Sequence, residues 1–186
     1  MDIFFYYINQ DWGEIWDTLM PLFSNELVIF IFFIFTSFFL LIHLKKKALL
    51  ALFLTFLLFL FSDFLCGKVL KPFFAKPRPY AVCTDIRLYK DGKFIKTKNT
   101  FPAHSYSLPS CHASNTFTVA MFFSILMPLI APLVISFSIL VGISRIYLGY
   151  HWPFDVILGW IIGACIGIFG GIIWKYMQKF IHIKQN

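Results

Sequence analysis

Residues 27–65 read LVIFIFFIFTSFFLLIHLKKKALLALFLTFLLFLFSDFL, two apolar runs separated by Leu44 and the triplet Lys45, Lys46 and Lys47. Each run has the roughly 17 or more residues that a helix needs to cross a hydrocarbon core. Three further apolar segments follow: from His112 or Asn115 to about Pro128, from Pro132 to Tyr147, and from Pro153 to Tyr176. The short connectors near Pro128–Pro132 and Leu148–Trp152 predict antiparallel neighbours. Gly163, Gly167, Gly170 and Gly171 give the last span faces for close helix packing. The expected fold is all-α, a polytopic transmembrane bundle of about five spans.

Composition agrees. Of 186 residues, 59% are hydrophobic and 13% charged, and 25 are phenylalanine. Soluble domains carry about 25% charged residues, so an ordinary soluble enzyme, a disordered chain and a small disulfide scaffold are excluded. A net charge of +7 raises nucleic acid as a partner, but no basic-aromatic surface motif or recognition helix accompanies it, so none is expected. Cys66, Cys83, Cys111 and Cys165 lack metal-ligand spacing. Cys66 and Cys83 either pair as a disulfide in an oxidising compartment or stay free thiols. No cleavable leader is read at the N-terminus, which is expected to be retained.

Outside the spans, residues 1–24 form their own unit. Phe4, Phe5, Ile8, Trp12, Ile15, Trp16 and Leu19 recur at helical spacing opposite Asn9, Asp11, Glu14 and Asp17. This predicts one amphipathic helix over residues 3–20, interrupted at Pro21. It either lies in the membrane interface or packs on the bundle. Residues 25–186 make the transmembrane domain, and residues 66–111 its longest extramembrane loop.

Residues 1–44 contain no Lys or Arg, and the lysine triplet follows at once, so the first hairpin turn is expected in the cytoplasm. The N-terminus and the 66–111 loop then face outward. Nine basic against two acidic residues in that loop oppose this orientation unless the charges have another use.

With five spans, three polar stretches fall on one membrane face. They are Lys71–Pro79, Pro109–His112 and Ser144–Asp155. Lys71, Arg78 and Arg145 can neutralise a phosphate, the arginines as planar forks and the lysine as a point charge. Ser110, at the cap of the third span, adds a donor, and the helix N-termini favour an anion. His151 is the candidate nucleophile and Asp155, four residues on, the group that orients its ring. His112 is left to protonate the leaving oxygen and then to activate water. No metal and no other cofactor is required, because the cations supply the charge. His43 and His182 fall near the opposite face, and His104 and Asp63 lie outside the pattern; structural roles are expected for these four.

The three stretches resemble the signature of the type 2 phosphatidic acid phosphatase family, K-x6-R-P, P-S-G-H and S-R-x5-H-x3-D. Lys71, Arg78 and Pro79 match the first, Pro109, Ser110 and His112 the second, and Ser144, Arg145, His151 and Asp155 the third. Cys111 stands where the family has glycine, at a position whose backbone N–H would bind phosphate. The resemblance implies a metal-independent membrane lipid phosphatase working through a phosphohistidine. Its substrate would be a lipid with an anionic phosphorylated headgroup. Lipid A 1-phosphate is favoured, with undecaprenyl diphosphate, phosphatidylglycerophosphate and phosphatidate as the other choices. The expected location is a bacterial inner membrane with the site facing the periplasm. A non-catalytic protein that binds or transports anionic lipid is the alternative.

Overall fold

The computed structural model describes residues 3–98 and 100–183, with side chains to Lys179. The N-terminal stretch forms two helices rather than one, α1 (Ile3–Ile8) and α2 (Glu14–Ser24). The break has a local cause. Asp11 Oδ1 accepts the Gly13 N–H at 2.8 Å, and Gly13 takes a φ of 97°, which ends any continuous helix. Pro21 does not terminate α2, which runs through it to Ser24. One flank of α2 packs on the fourth span, while Ile15, Leu19 and Leu22 stay exposed.

Asn25 opens α3 (Glu26–Leu44), its Oδ1 accepting from the Leu27 and Val28 N–H groups at 2.9 and 3.2 Å. Lys45, at φ 51°, stops α3, and after a one-turn 3₁₀ segment α4 (Ala48–Phe64) runs alongside it. Three hydroxyls in these apolar helices are satisfied within their own helix, while Ser62 on α4 bonds across to Ser114 and Asn115. Thr36 donates to the Phe32 and Phe33 carbonyls, Ser37 to Phe33 and Thr55 to Ala51, as a lipid environment demands. Phe30, Phe35, Phe38, Phe53, Phe56 and Phe61 point outward, the surface expected toward acyl chains. That use accounts for much of the phenylalanine content.

Two one-turn helices follow, α5 (Lys71–Phe74) and α6 (Pro79–Val82). Next comes a hairpin of β1 (Arg87–Lys90) and β2 (Lys93–Lys96), with Arg87 opposite Lys96. This small sheet is an addition to the expected all-helical fold. Its signal was present: Asp91-Gly92, with φ values of 52° and 80°, is the two-residue turn that closes such hairpins.

The remaining spans are α7 (Cys111–Leu126), α8 (Ala131–Tyr147) and α9 (Pro153–Ile183). Three apolar stretches, 26–82, 128–147 and 153–179, are long enough to cross a membrane, and the first contains both α3 and α4. The shorter α7 is the central helix, packed by α9, α8 and α4. Its partner α9 approaches with glycines. A Cβ on Gly159, Gly163 or Gly167 would lie 2.7, 2.4 or 2.6 Å from the carbonyls of Ser110, Ser114 and Thr118. Backbone therefore meets backbone along this seam. Lys184 and the His182 side chain lie outside the described residues.

Candidate active site

The first polar stretch is delivered by a π-helical turn, Leu65–Leu70, that carries α4 into Lys71. Such turns add a residue to one winding and often occur at functional sites. Ala75, left-handed at φ 46°, ends α5, and the following residues extend toward the start of α9. There Trp152 Nε1 donates to the Pro77 carbonyl at 3.0 Å. The second stretch is fixed by backbone bonds, from Ser107 N–H to the Lys76 carbonyl at 2.8 Å and from Ser110 N–H to the Asp155 carbonyl at 2.9 Å. In the third, the Tyr150 and His151 N–H groups both donate to the Arg145 carbonyl, at 3.0 and 3.2 Å. The tight loop needs Gly149. Its φ is 82°, and a Cβ there would meet the Arg87 carbonyl of the hairpin at 2.5 Å.

These supports bring the predicted residues to one end of the bundle. The His151 ring is buried, with Nδ1 3.7 Å from Asp155 Oδ2 and Nε2 3.4 Å from Arg78 Nη1. Burial pushes its pKa down to about 3, with the charges of Arg78, Arg145 and Lys71 acting in the same direction and Asp155 opposing them. The imidazole is therefore neutral near pH 7 and keeps a lone pair. Arg78 is held by the Ser105 carbonyl at 3.1 Å, Ser105 Oγ at 2.9 Å and the Tyr150 carbonyl at 3.2 Å. Arg145 lies over the Tyr150 ring, 4.6 Å from its centroid, and donates to Ser24 Oγ at 3.1 Å. His112, on the first turn of α7, lies within electrostatic reach of Arg145, Lys71 and Arg78 and of the His151 ring, which places it in the same cluster. Its Nε2 lies 3.9 Å from Glu26.

Asp155 is more fully held than its spacing from His151 suggested. Its buried carboxylate accepts from Lys76 Nζ at 2.8 Å, from the Trp152 N–H at 3.0 Å and from Ser107 Oγ. Ser107 Oγ also stands 3.4 Å from His151 Nδ1, between ring and carboxylate. Lys76, Ser105 and Ser107 were not expected at the site. Lys76 sits within the first motif and Ser107 three residues before Ser110, so motif proximity was their only signal.

Ser110 caps α7 in sequence only, since its hydroxyl makes no capping bond. Ser110 Oγ and Arg145 Nε are both buried without a hydrogen-bond partner among the described residues. Unpaired buried donors are costly, and an anion seated here would satisfy them. Cys111 is the first residue of α7, and its Sγ lies 2.6 Å from that of Cys66. Cys66 thus faces Cys111 and not Cys83, which packs with Phe5 and Ile86; all four cysteines are free thiols.

Asp63 and Asn9 have structural partners, and His104 faces a cavity. Asp63 accepts from Asn115 Nδ2 at 2.8 Å. His104 lines a cavity of about 210 Å³ with Tyr80, Lys90 and Tyr150. Asn9, buried at the end of α1, binds the Arg87 N–H and the Arg87 and Tyr147 carbonyls, so α1 ties the hairpin to α8.

A membrane helix bundle with arginine, lysine and histidine side chains from three sequence motifs gathered at one end is the class that fold and site define. A family model described as the PAP2 superfamily matches residues 52–181, and the chain belongs to that family. It is 28% identical over 119 residues to a lipid A 4'-phosphatase of Bacteroides thetaiotaomicron, covering 63% of this chain and 49% of the relative. A lipid A 4'-phosphatase of Porphyromonas gingivalis is 29% identical over 181 residues, 96% of this chain and 68% of the relative. The crystal structure of Aquifex aeolicus LpxE superposes with a TM-score of 0.60 at 28% identity, covering 90% of this chain and 92% of that one. The chain spans from about half to two thirds of the length of these two curated relatives.

Proposed function

We propose that this protein is a metal-independent lipid phosphatase that removes phosphate from a membrane lipid through a phosphohistidine. The observation that carries this reading is the pair of unpartnered buried donors, Ser110 Oγ and Arg145 Nε, in a cluster that also holds a neutral, buried His151. Lys71, Arg78, Arg145, Ser110 and the Cys111 N–H would hold the phosphate oxygens. With Arg78 turned to phosphate, His151 Nε2 attacks phosphorus and the bond to the lipid oxygen breaks. The bound phosphate dianion offsets the surrounding cations and lets His112 carry the proton that it gives to that oxygen; the neutral ring then takes a proton from the water that cleaves the phosphohistidine. Asp155 and Ser107 hold the Nδ1 side of the ring and stabilise the imidazolium.

Lipid A is the favoured substrate. Relatives named lipid A 4'-phosphatases align with this chain, and a strongly basic loop suits a strongly anionic headgroup. Phosphate release from lipid A, phosphorylated at the 1- or the 4'-position, is to be compared with release from undecaprenyl diphosphate, phosphatidylglycerophosphate and phosphatidate in micelles containing chelator. Fastest turnover of either lipid A form is expected. Binding without release from any lipid would overturn the enzymatic reading in favour of a lipid-binding protein.

Lys76 and Ser107 act through Asp155 as positioning residues. Lys76→Met and Ser107→Ala are each expected to lower kcat by about 10- to 100-fold, because small misplacements of a reacting group cost that much. KM should change less than threefold. A rise in KM at constant kcat would assign both residues to substrate binding instead.

The site is read as facing the periplasm from an inner membrane. The lack of Lys and Arg in residues 1–44, ahead of the lysine triplet, supports this reading, and several of the loop's basic residues have a local use. Lys76 pairs with Asp155, Arg87 with Asp17 at 2.6 Å and Lys96 with Asp85 at 2.9 Å, while Lys71 and Arg78 are assigned to phosphate. In a background lacking the native cysteines, Lys93→Cys should react with an impermeant maleimide in intact spheroplasts, and Lys46→Cys only after lysis. The reverse pattern would place the site in the cytoplasm.

A further inference from the structure

We propose that Cys66 and Cys111 form an oxidisable dithiol whose disulfide couples the lysine-bearing turn to the phosphate loop and tightens phosphate binding. The proposal rests on the outward-facing reading above, because thiols on that face meet an oxidising compartment. The two residues lie 45 positions apart, yet their sulfurs are in contact, and the Cys66 thiol also points at the Pro109 carbonyl, 3.7 Å away. Cys66 belongs to the π turn that delivers Lys71. Cys111 opens α7 directly after Ser110. One bond between them would join two of the three segments that surround the anion.

Their exposure sets the order of events. Cys111 is partly accessible and Cys66 fully buried. The Cys111 thiolate attacks an external disulfide, forming a mixed disulfide and releasing one thiolate of the oxidant. Cys66 then loses its proton and attacks Cys111 Sγ, expelling the second thiolate. The protein gives up two electrons and two protons, and the oxidant's disulfide becomes two thiols. Cys83, packed among Phe5, Ile86 and Ala113, has no sulfur partner among the described residues, and Cys165 sits exposed on α9.

The effect on the site has a definite sign. A thiolate at Cys111 would set negative charge against an arriving phosphate and compete for Lys71, one of its charged neighbours. A bridged sulfur carries no charge. The bridge also restricts the motion of Ser110 and Lys71 relative to one another, so less ordering is left for the ligand to impose.

Full-length protein in detergent is treated with oxidised glutathione, quenched in acid, alkylated and digested. A peptide pair joining Cys66 to Cys111 is expected, with Cys83 and Cys165 alkylated. Inorganic phosphate should then bind at least threefold more tightly than after reduction, by calorimetry. Cys66→Ala should bind phosphate as the reduced protein does and show no response to oxidant, with Cys66→Ser as the second variant if the first fails to fold. Four alkylated cysteines, a link to Cys83, or equal phosphate binding in both states would overturn the proposal. None of these readouts requires turnover, so a protein that bridges and binds phosphate but hydrolyses no lipid refutes the phosphatase reading alone.

Discussion

Replacing His151 with alanine is expected to abolish phosphate release, with a loss of about 10⁴-fold or more, as removal of a covalent nucleophile does. No other described imidazole is placed to substitute. His112 belongs to the same cluster but is assigned to the leaving oxygen and the water, and His104 lines the neighbouring cavity. Asp155→Asn should cost less, about 10²- to 10³-fold, because the ring remains but loses the charge that stabilises its cationic state. Acid would act on the wild type in a characteristic way. The His151 pKa lies at about 3 because of burial, against about 6.5 for an ordinary imidazole. The nucleophile therefore stays neutral through pH 5, and the acid limb of kcat/KM attributable to it should fall well below pH 6. Folding shows the linked effect. The unfolded chain binds the extra proton between about pH 6.5 and 3, so this residue's share of stability is complete above 6.5 and is lost as pH drops through that window. An imidazole NMR titration of His151 centred at about 6.5 would mean that this ring is solvated in the working enzyme.

Gly163→Leu is expected to remove most folded protein, the largest stability effect at any single site described. An added Cβ would stand 2.4 Å from the Ser114 carbonyl, 2.9 Å from Phe117 Cβ and 3.0 Å from the Thr118 N–H. Backbone cannot rotate aside, so α7 and α9 must separate along the seam that holds the centre of the bundle. Overpacking of this kind costs about 3 kcal/mol or more, equivalent to a fall of roughly 10 °C in the detergent melting temperature of a chain this size. Gly170→Ala is the contrast. Its added carbon would meet Leu58 Cδ1 at 2.3 Å, a methyl at the end of a rotatable side chain, and the loss should stay under about 1 kcal/mol. Equal melting temperatures for the two variants would show that the α7–α9 contact is looser than its geometry.

Much of this architecture was legible before any coordinates. The long apolar runs of α3, α4, α8 and α9 are set by hydrophobicity alone, and the motif residues mark their own chemistry. The break between α1 and α2 is hidden in the sequence, because an amphipathic stripe continues through Gly13 while the backbone does not. Asn9 shows why. It appears as one more polar-face residue, yet its side chain is spent on three backbone groups over seventy positions away. The β1–β2 hairpin is signalled only by Asp91-Gly92, since its strands RLYK and KFIK carry charge at both ends in place of a long apolar alternation. Lys76 and Ser107 were invisible for a different reason. Their importance lies in touching Asp155, a contact created by folding between segments that share no periodicity.

The π turn at Leu65–Leu70 has a consequence for how this site can change over evolutionary time. In an α-helix each residue advances the chain by about 100° around the axis. Lys71 therefore owes its direction to the one surplus residue wound into the preceding turn. Deleting Gly67, around which there is open space, would return α4 to regular winding and swing the lysine by about a quarter turn, away from the anion. Every motif letter would survive that deletion, and only the phase between them would be lost. In this chain the spacing written within the first motif is necessary, but the unwritten count of residues before it decides where the motif points.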